Sequence, residues 1–272
     1  MSPPPVPRVS VGVCDTPEAD RAVQWAAHHA HVTGAQLHLV HAFVWTELDV
    51  NTDPIPGVTG SGIRAAADGL IEDAVAIARA VHPDLEITSQ IIDGNPVPVL
   101  VDVSTRSDVL VLGGRGLGRL LTLIVGSKSL ALASRAHCPV VVVRGDIAVQ
   151  GPIGLVHHPR GEDAVERAAL LAAAYRRPIQ LVARADADQQ RAQQVLAEVR
   201  ETIGRTHPQV AVAGVTIPAT HAPRELVQAS EGAAMIVVAG ERVAGQEGRI
   251  AAPRQLVTVL RYANTPVWIE RA

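Results

Sequence analysis

A stretch of the first half of this chain returns in the second half at a constant spacing of 127 residues. Pro96 recurs as Pro223 and Leu100 as Val227. Asp108-Val109-Leu110-Val111-Leu112-Gly113 recurs as Met235-Ile236-Val237-Val238-Ala239-Gly240, and Arg115 as Arg242. Ala136-His137-Cys138-Pro139-Val140 recurs as Ala263-Asn264-Thr265-Pro266-Val267, and near the front Arg21-Ala22 matches Arg167-Ala168. Matches spread over a whole unit mark a duplication, so the fold must be one that a single copy can adopt and a second copy can join. The breakers Gly145, Gly151 and Pro152 place the junction at 145–152. Two domains follow, 1–146 and 147–272.

Within each copy, short runs rich in Val, Ile and Leu alternate with helical stretches. The first copy has strand-like runs at Val9–Val13, Gln36–His41, Glu86–Ile92, Val109–Leu112 and Val140–Val143. Between them, helical spacing covers Pro17–Val32, Gly62–Val81, Val97–Ser104 and Lys128–Ala136. The second copy has strands at Ile153–Val156, Ile179–Ala183, Val210–Ile217, Met235–Ala239 and Val267–Glu270. Its helices fall near Glu162–Tyr175, Gln189–Ile203, Arg224–Glu231 and Arg254–Tyr262. Strands alternating with helices predict an α/β fold with a parallel sheet in each copy. Aromatics are only 2% of the chain, so Ala, Val and Leu fill the core, as suits a sheet covered on both faces.

The composition narrows the partners. Net charge is −3, no Lys/Arg run exceeds two residues, and few rings are present on which bases would stack, which argues against nucleic acid. No apolar run approaches the roughly 20 residues of a membrane span. Two cysteines give no disulfide framework, and the Pro-rich start carries no apolar signal core. A reducing cytoplasm is the expected location.

One motif carries chemistry. After the fourth strand come Gly113-Gly114-Arg115-Gly116, nine further residues, then Gly126-Ser127-Lys128-Ser129 at the start of a helix. Glycines let backbone approach phosphate oxygens without a Cβ in the way, and a helix start offers free N–H groups to an anion. Ser127 suits an N-cap, and Arg115 and Arg119 would add charge-assisted bonds. The spacing is neither that of a Walker A loop nor that of the dinucleotide fingerprint.

Gly-x2-Gly-x9-Gly-Ser, followed by a helix and Cys138-Pro139-Val140-Val141-Val142-Val143, resembles the ATP-binding branch of the universal stress proteins. Val11-Gly12-Val13, Thr16-Pro17, Arg21-Ala22 and Trp25-Ala26 resemble that family's first strand and helix, and Leu39-Val40-His41-Ala42 its second strand. The resemblance covers both copies and is similar to the tandem type of actinobacteria. It implies two Rossmann-like domains, each an open five-stranded parallel sheet of order 3-2-1-4-5, with nucleotide at the carboxyl ends of the strands. Carried over by position, Gly12 and Val40 would lie beside adenosine. Gly113, Arg115, Gly116, Gly126, Ser127 and Ser129 would surround the phosphates. It further implies that the end strands, Pro139–Val143 and Pro266–Glu270, pair across an internal pseudo-two-fold.

Two departures stand out. The family's Asp after the first strand is replaced by Cys14, with Asp15 one place later. Lys128 occupies a position where a small or apolar residue is usual, and either reaches a phosphate or is solvated. In the second copy Val243, Pro253 and Arg254 replace Gly116, Gly126 and Ser127, and the insert Phe43–Ser61 has no counterpart. The second copy is therefore expected to bind ATP weakly or not at all. His28, His29 and His31 read as solvated or packed rather than metal ligands, Trp25 as core, and Cys14 and Cys138 as small packed thiols.

The expected function is an ATP-binding regulator of the stress response, with ATP as ligand, with or without Mg2+, and a protein partner that the sequence does not name. A homodimer of whole chains is expected on top of the internal pairing. No general base or acidic metal-ligand set stands beside the loop, so catalytic residues are not assigned. A slow ATPase or nucleotide hydrolase is the alternative, as is a scaffold that has lost nucleotide binding.

Overall fold

The structure is a computed structural model. It describes residues 6–44, 61–114, 127–148, 150–185, 189–218, 228, 231–242, 250–251 and 254–271. In chain order the first half runs β1 (Arg8–Gly12), α1 (Pro17–Thr33), β2 (Gln36–Phe43), α2 (Ser61–Val81), β3 (Ile87–Asp93), α3 (Pro96–Ser104), β4 (Val109–Gly113), α4 (Ser127–Arg135) and β5 (Val140–Val143). The second runs β6 (Ile153–Val156), α5 (Glu162–Tyr175), β7 (Ile179–Ala185), α6 (Gln189–Thr206), β8 (Val212–Pro218) and β9 (Met235–Ala239). It continues through the two-residue strands β10 (Glu241–Arg242) and β11 (Ile250–Ala251), then α7 (Arg254–Tyr262) and β12 (Val267–Glu270). The helix predicted at 224–231 lies almost entirely outside the described residues.

All the long strands form one ten-stranded sheet of order β3-β2-β1-β4-β5-β12-β9-β6-β7-β8. Each half contributes five parallel strands in the order 3-2-1-4-5. The halves meet where β5 pairs antiparallel with β12, with Val141 opposite Trp268. An edge strand exposes a row of unpaired backbone groups, and here each half's edge covers the other's.

The pleat sorts side chains onto two faces. Val9, Val11, Val109, Val111, Val141 and Val143 point to one core, under α1, α2, α5 and α6. Leu110, Leu112, Val140 and Val142 point to the other, under α3, α4 and α7. The buried Ser10 avoids an unmet hydroxyl by bonding the Ser107 hydroxyl at 2.7 Å. Helix α1 starts where Thr16 caps it, its Oγ1 accepting from Ala19 N at 3.2 Å, with Pro17 in the first turn. It ends at Gly34, whose φ of 65° lies in the left-handed region that glycine tolerates.

Across the seam, His29 of α1, backed by Trp25, meets Tyr175 of α5 and Trp268 of β12. The Trp25 and His29 rings stack at 5.0 Å, and His29 lies 5.9 Å from Tyr175 and 5.4 Å from Trp268. Arg167 sits over Trp268 at 5.4 Å, and Glu270 accepts from both Arg167 Nε and Trp268 Nε1 at 2.8 Å.

The repeats are not in the register their sequences suggest. Gly114 N donates to the Val143 carbonyl at 2.9 Å, and Gly240 N to the Glu270 carbonyl at 2.8 Å. Gly240 is thus level with Gly114, and Ala239 with Gly113. At the helix ends, Ala35 N donates to Ala30 and Arg177 N to Ala172, both at 2.8 Å. Counting back from there sets Arg167 level with Trp25, not with Arg21. The physical reason is length: α5 has 14 residues against 17 in α1.

Candidate functional site

Strand β1 lies between β2 and β4, so the connection leaving β1 runs one way across the sheet and the one leaving β4 runs the other. The crevice outside the carboxyl ends of such strands is the usual ligand position of an open α/β sheet. A cleft lies there. Its lining comes from β1 and its exit (Gly12, Val13, Cys14), from β2 (Val40, His41, Ala42), from α3 (Pro96, Leu100) and from the end of β4 (Leu112, Gly113). Leu100, Leu112 and Val40 are buried and make the walls apolar.

Gly12 keeps the floor open. A Cβ there would lie 3.2 Å from Leu100 Cδ1 and 3.3 Å from Leu112 Cδ2. Gly113 is glycine for a packing reason of its own. A Cβ there would lie 2.6 Å from the Glu18 carbonyl oxygen, so the first turn of α1 could not approach β4. Gly114 is confined in the same way by Arg144 Cγ at 2.9 Å and the Val143 carbonyl oxygen at 3.0 Å.

In a parallel βαβ unit the helix begins on the side of the strand carboxyl ends, which puts the starts of α1 and α4 on this side of the sheet. The first turn of α1 carries Glu18 and Asp20 and is hostile to an anion. The first turn of α4, opened by Ser127, Lys128 and Ser129, carries no acidic residue. An anion at the rim is therefore better placed by α4.

Cys14 lines the cleft, whereas Asp15 is exposed and does not. The Cys14 Sγ lies 3.6 Å from Thr16 Oγ1. Burial pushes the thiol's pKa up, the Thr16 contact lowers it, and the charges of Asp15, Asp20 and Glu18 raise it further. Cys14 thus presents a neutral S–H to the cleft. Cys138 is buried and pushed up to about 12, chiefly by desolvation, which makes it inert packing.

The structure brings Gly12, Cys14, Val40 and Gly113 of the predicted site together around one cleft. Arg115, Gly116, Arg119 and Gly126 lie outside the described residues. Ser127, Lys128 and Ser129 open α4. Sequence reasoning missed His41, which lines the cleft and whose Nδ1 donates to the Val13 carbonyl at 2.9 Å. The signal was its place directly after Val40 at the carboxyl end of β2.

The second half departs at the same level. His157 N donates to the Val182 carbonyl at 2.9 Å, as Val13 N does to Val40 at 2.8 Å. This sets Val156, buried, level with Gly12. An isopropyl group stands where the first half leaves a floor. After β9 the chain enters the antiparallel pair β10 and β11, and α4 of the first half packs against β11.

His28, His31 and His82 cluster elsewhere, at the far end of α1. His28 Nδ1 is 3.2 Å from His82 Nε2, and the His31 and His82 rings stack at 3.9 Å. Among the described residues, no three His, Cys, Asp or Glu side chains are placed to hold a metal ion. No described helix is long and apolar enough to cross a membrane.

The universal stress protein family model matches residues 6–144, which hold the whole cleft. The chain belongs to the universal stress protein family. It is similar over 97% of its length to universal stress protein Rv2623 of Mycobacterium tuberculosis, at 33% identity and covering 96% of that protein. Universal stress protein Rv2005c of the same organism is 31% identical over the same shares. A universal stress protein from Archaeoglobus fulgidus has the same fold at a TM-score of 0.77 and 15% identity, covering 97% of this chain and 98% of that one. As a universal stress protein, the chain is of the tandem kind, and Val156 of its second copy stands level with the Gly12 that leaves the first copy's floor open.

Proposed function

We propose that this universal stress protein binds ATP in a single cleft formed by residues 1–146, and that residues 147–272 serve as a built-in partner. Nucleotide occupancy then sets the outer surface that a protein partner reads, so that signalling is by shape rather than by turnover. The observation that carries this reading is the cleft at the carboxyl ends of β1, β2 and β4, apolar in its walls, on the side of the sheet where α4 begins with a first turn free of acidic residues.

Calorimetry with ATP is the test. One site per chain is expected, abolished by Gly116→Val or Gly126→Val, because a branched side chain occupies phosphate space. Two equal sites, or unchanged binding in both variants, overturns the reading. Incubation with ATP and Mg2+ is expected to leave the nucleotide intact over many times the residence time of the complex. Sustained release of phosphate makes the protein a hydrolase instead.

A further inference from the structure

We propose that two copies of this chain pair through β3, edge against edge and antiparallel, about a two-fold axis at Gln90. The sheet ends in β3 on one side and in β8 on the other. Glu86 and Gly94, which flank β3, bond β2: Leu37 N donates to the Glu86 carbonyl at 2.9 Å, and Gly94 N to the Phe43 carbonyl at 2.8 Å. Alternate residues of a strand turn their backbone groups to the same side. Thr88, Gln90 and Ile92 therefore face β2 as well, and Ile87, Ser89, Ile91 and Asp93 turn theirs outward. Among the described residues none bonds these outward groups. Proteins blunt such an edge with Pro, Lys or a bulge. Strand β3 contains no Pro, Gly, Lys or Arg, and its one charge, on Asp93, is paired with Arg64 at 3.2 Å.

The other edge is blunted. Ile179 N donates to the Ala211 carbonyl at 2.8 Å, so Val212, Gly214, Thr216 and Pro218 of β8 turn outward. Arg200 Nε of α6 donates to the Val212 carbonyl at 3.3 Å, and Pro218 has no N–H to offer. The bare edge fits a second copy of itself. A two-fold at Gln90 sets Ile87 opposite Asp93 and Ser89 opposite Ile91, so outward residues meet outward residues and every outward N–H and C=O of β3 finds a partner. Thr88 then lies opposite Ile92, and no two like charges face each other. Ile87, Ile91 and Ile92, half-buried in the single chain, gain cover. The join repeats the antiparallel one that β5 makes with β12. Both free ends of the pair are then β8 edges, so assembly closes at two chains instead of running on.

The test is sedimentation equilibrium of the full chain, which is expected to show a reversible dimer. Ser89→Pro removes an outward N–H and leaves the bonds to β2 in place. It deletes two hydrogen bonds per dimer and should raise the dissociation constant about tenfold to hundredfold. Gln90→Lys sets two ammonium groups face to face at the axis and should raise it about tenfold, less at high salt. Should Ser89→Pro fail to fold, Gln90→Lys, whose side chain is exposed, decides alone. Register is read by cross-linking. Residues opposite each other in a non-hydrogen-bonded pair lie about 4.5 Å apart at Cα, within reach of a disulfide. Oxidised Gln90→Cys should therefore run as a linked dimer, and Thr88→Cys, which faces Ile92, should not. A wild-type chain that stays monomeric up to its solubility limit overturns the inference. A dimer that neither Ser89→Pro nor Gln90→Lys weakens, or that Gln90→Cys does not link, overturns it too and puts the interface elsewhere.

Discussion

His29 Nδ1 of the first half lies 2.9 Å from the Tyr175 hydroxyl of the second, inside the aromatic seam that joins the two halves. His29 is fully buried, and desolvation, with smaller contributions from Arg167 and His28, lowers its pKa to about 3. A neutral imidazole, buried, and a half-buried phenol thus satisfy each other inside the seam. Tyr175→Phe keeps the ring packing and leaves the His29 nitrogen without its partner. A loss of about 1–3 kcal/mol is expected in urea unfolding, the cost of an unmet buried polar group. No change would mean that the nitrogen finds water or a second partner.

Acid should loosen the same seam. His29 is lowered to about 3, and burial also lowers His28, His38, His82 and His157. Below about pH 6.5 the unfolded chain takes up protons that the folded one refuses, so stability falls as pH falls. The histidine contribution is complete above that pH and is lost progressively down to about 3 for His29. Glu270 opposes it in part, because burial raises its pKa and makes the folded state retain a proton. Thermal midpoints should therefore decline from pH 7 toward pH 4, and His29→Phe should flatten the slope. An unchanged slope in that variant would remove His29 from the account.

Gly113→Ala should destabilise the chain whether or not nucleotide is present. Its Cβ meets backbone at 2.6 Å, so α1 or β4 must move, at a cost of about 1–3 kcal/mol. Gly12→Ala meets only leucine methyl groups at 3.2 and 3.3 Å, which can yield. It should cost less stability and weaken ligand binding more. Denaturation and calorimetry on the two variants separate these outcomes, and equal stability losses would contradict the packing argument.

Cys14→Asp should tighten ATP binding if a carboxylate at this point of the cleft accepts from the nucleoside. One charged hydrogen bond is worth about 1.5–3 kcal/mol, and the neighbouring Asp15, Glu18 and Asp20 will reduce the gain. Asp15→Ala should change little, because Asp15 is exposed and outside the lining. A larger loss from Asp15→Ala than the gain from Cys14→Asp would hand the role to Asp15.

Residues 1–146 expressed alone would carry a bare β5 edge and a His29 stripped of Tyr175 and Trp268. That fragment should dimerise or aggregate, and residues 147–272 added to it should restore a monodisperse complex. A monomeric fragment as stable as the full chain would show that the seam contributes nothing.

The strands were legible because buried parallel strands are written as unbroken Val, Ile and Leu, as in Val140–Val143, whereas their order came from the family resemblance. The pairing of β5 with β12 followed from the same runs, since an apolar edge strand needs cover. Register was not legible. The sequence aligns Gly113 with Gly240, but the ladder aligns Gly114, because the segments between strands changed length between the copies. His41 was also hidden. A histidine in a β2 run reads as one more residue of a strand until the Val13 carbonyl fixes its tautomer. The extension of β2 through Phe43 was missed because pairing to Asp93, not local composition, sustains it.

The antiparallel meeting of β5 and β12 has a consequence for how such a chain diverges. It turns the halves head to tail, so the rim that holds the open cleft is bordered in the second half by strand beginnings, and the rim with the Val156-filled floor is bordered by strand beginnings of the first. The two rims never share a ligand, and substitutions on one are screened from the other by the full height of the sheet. A duplicated gene built this way can let one rim drift while the other stays under selection, provided that the residues of the seam are left alone.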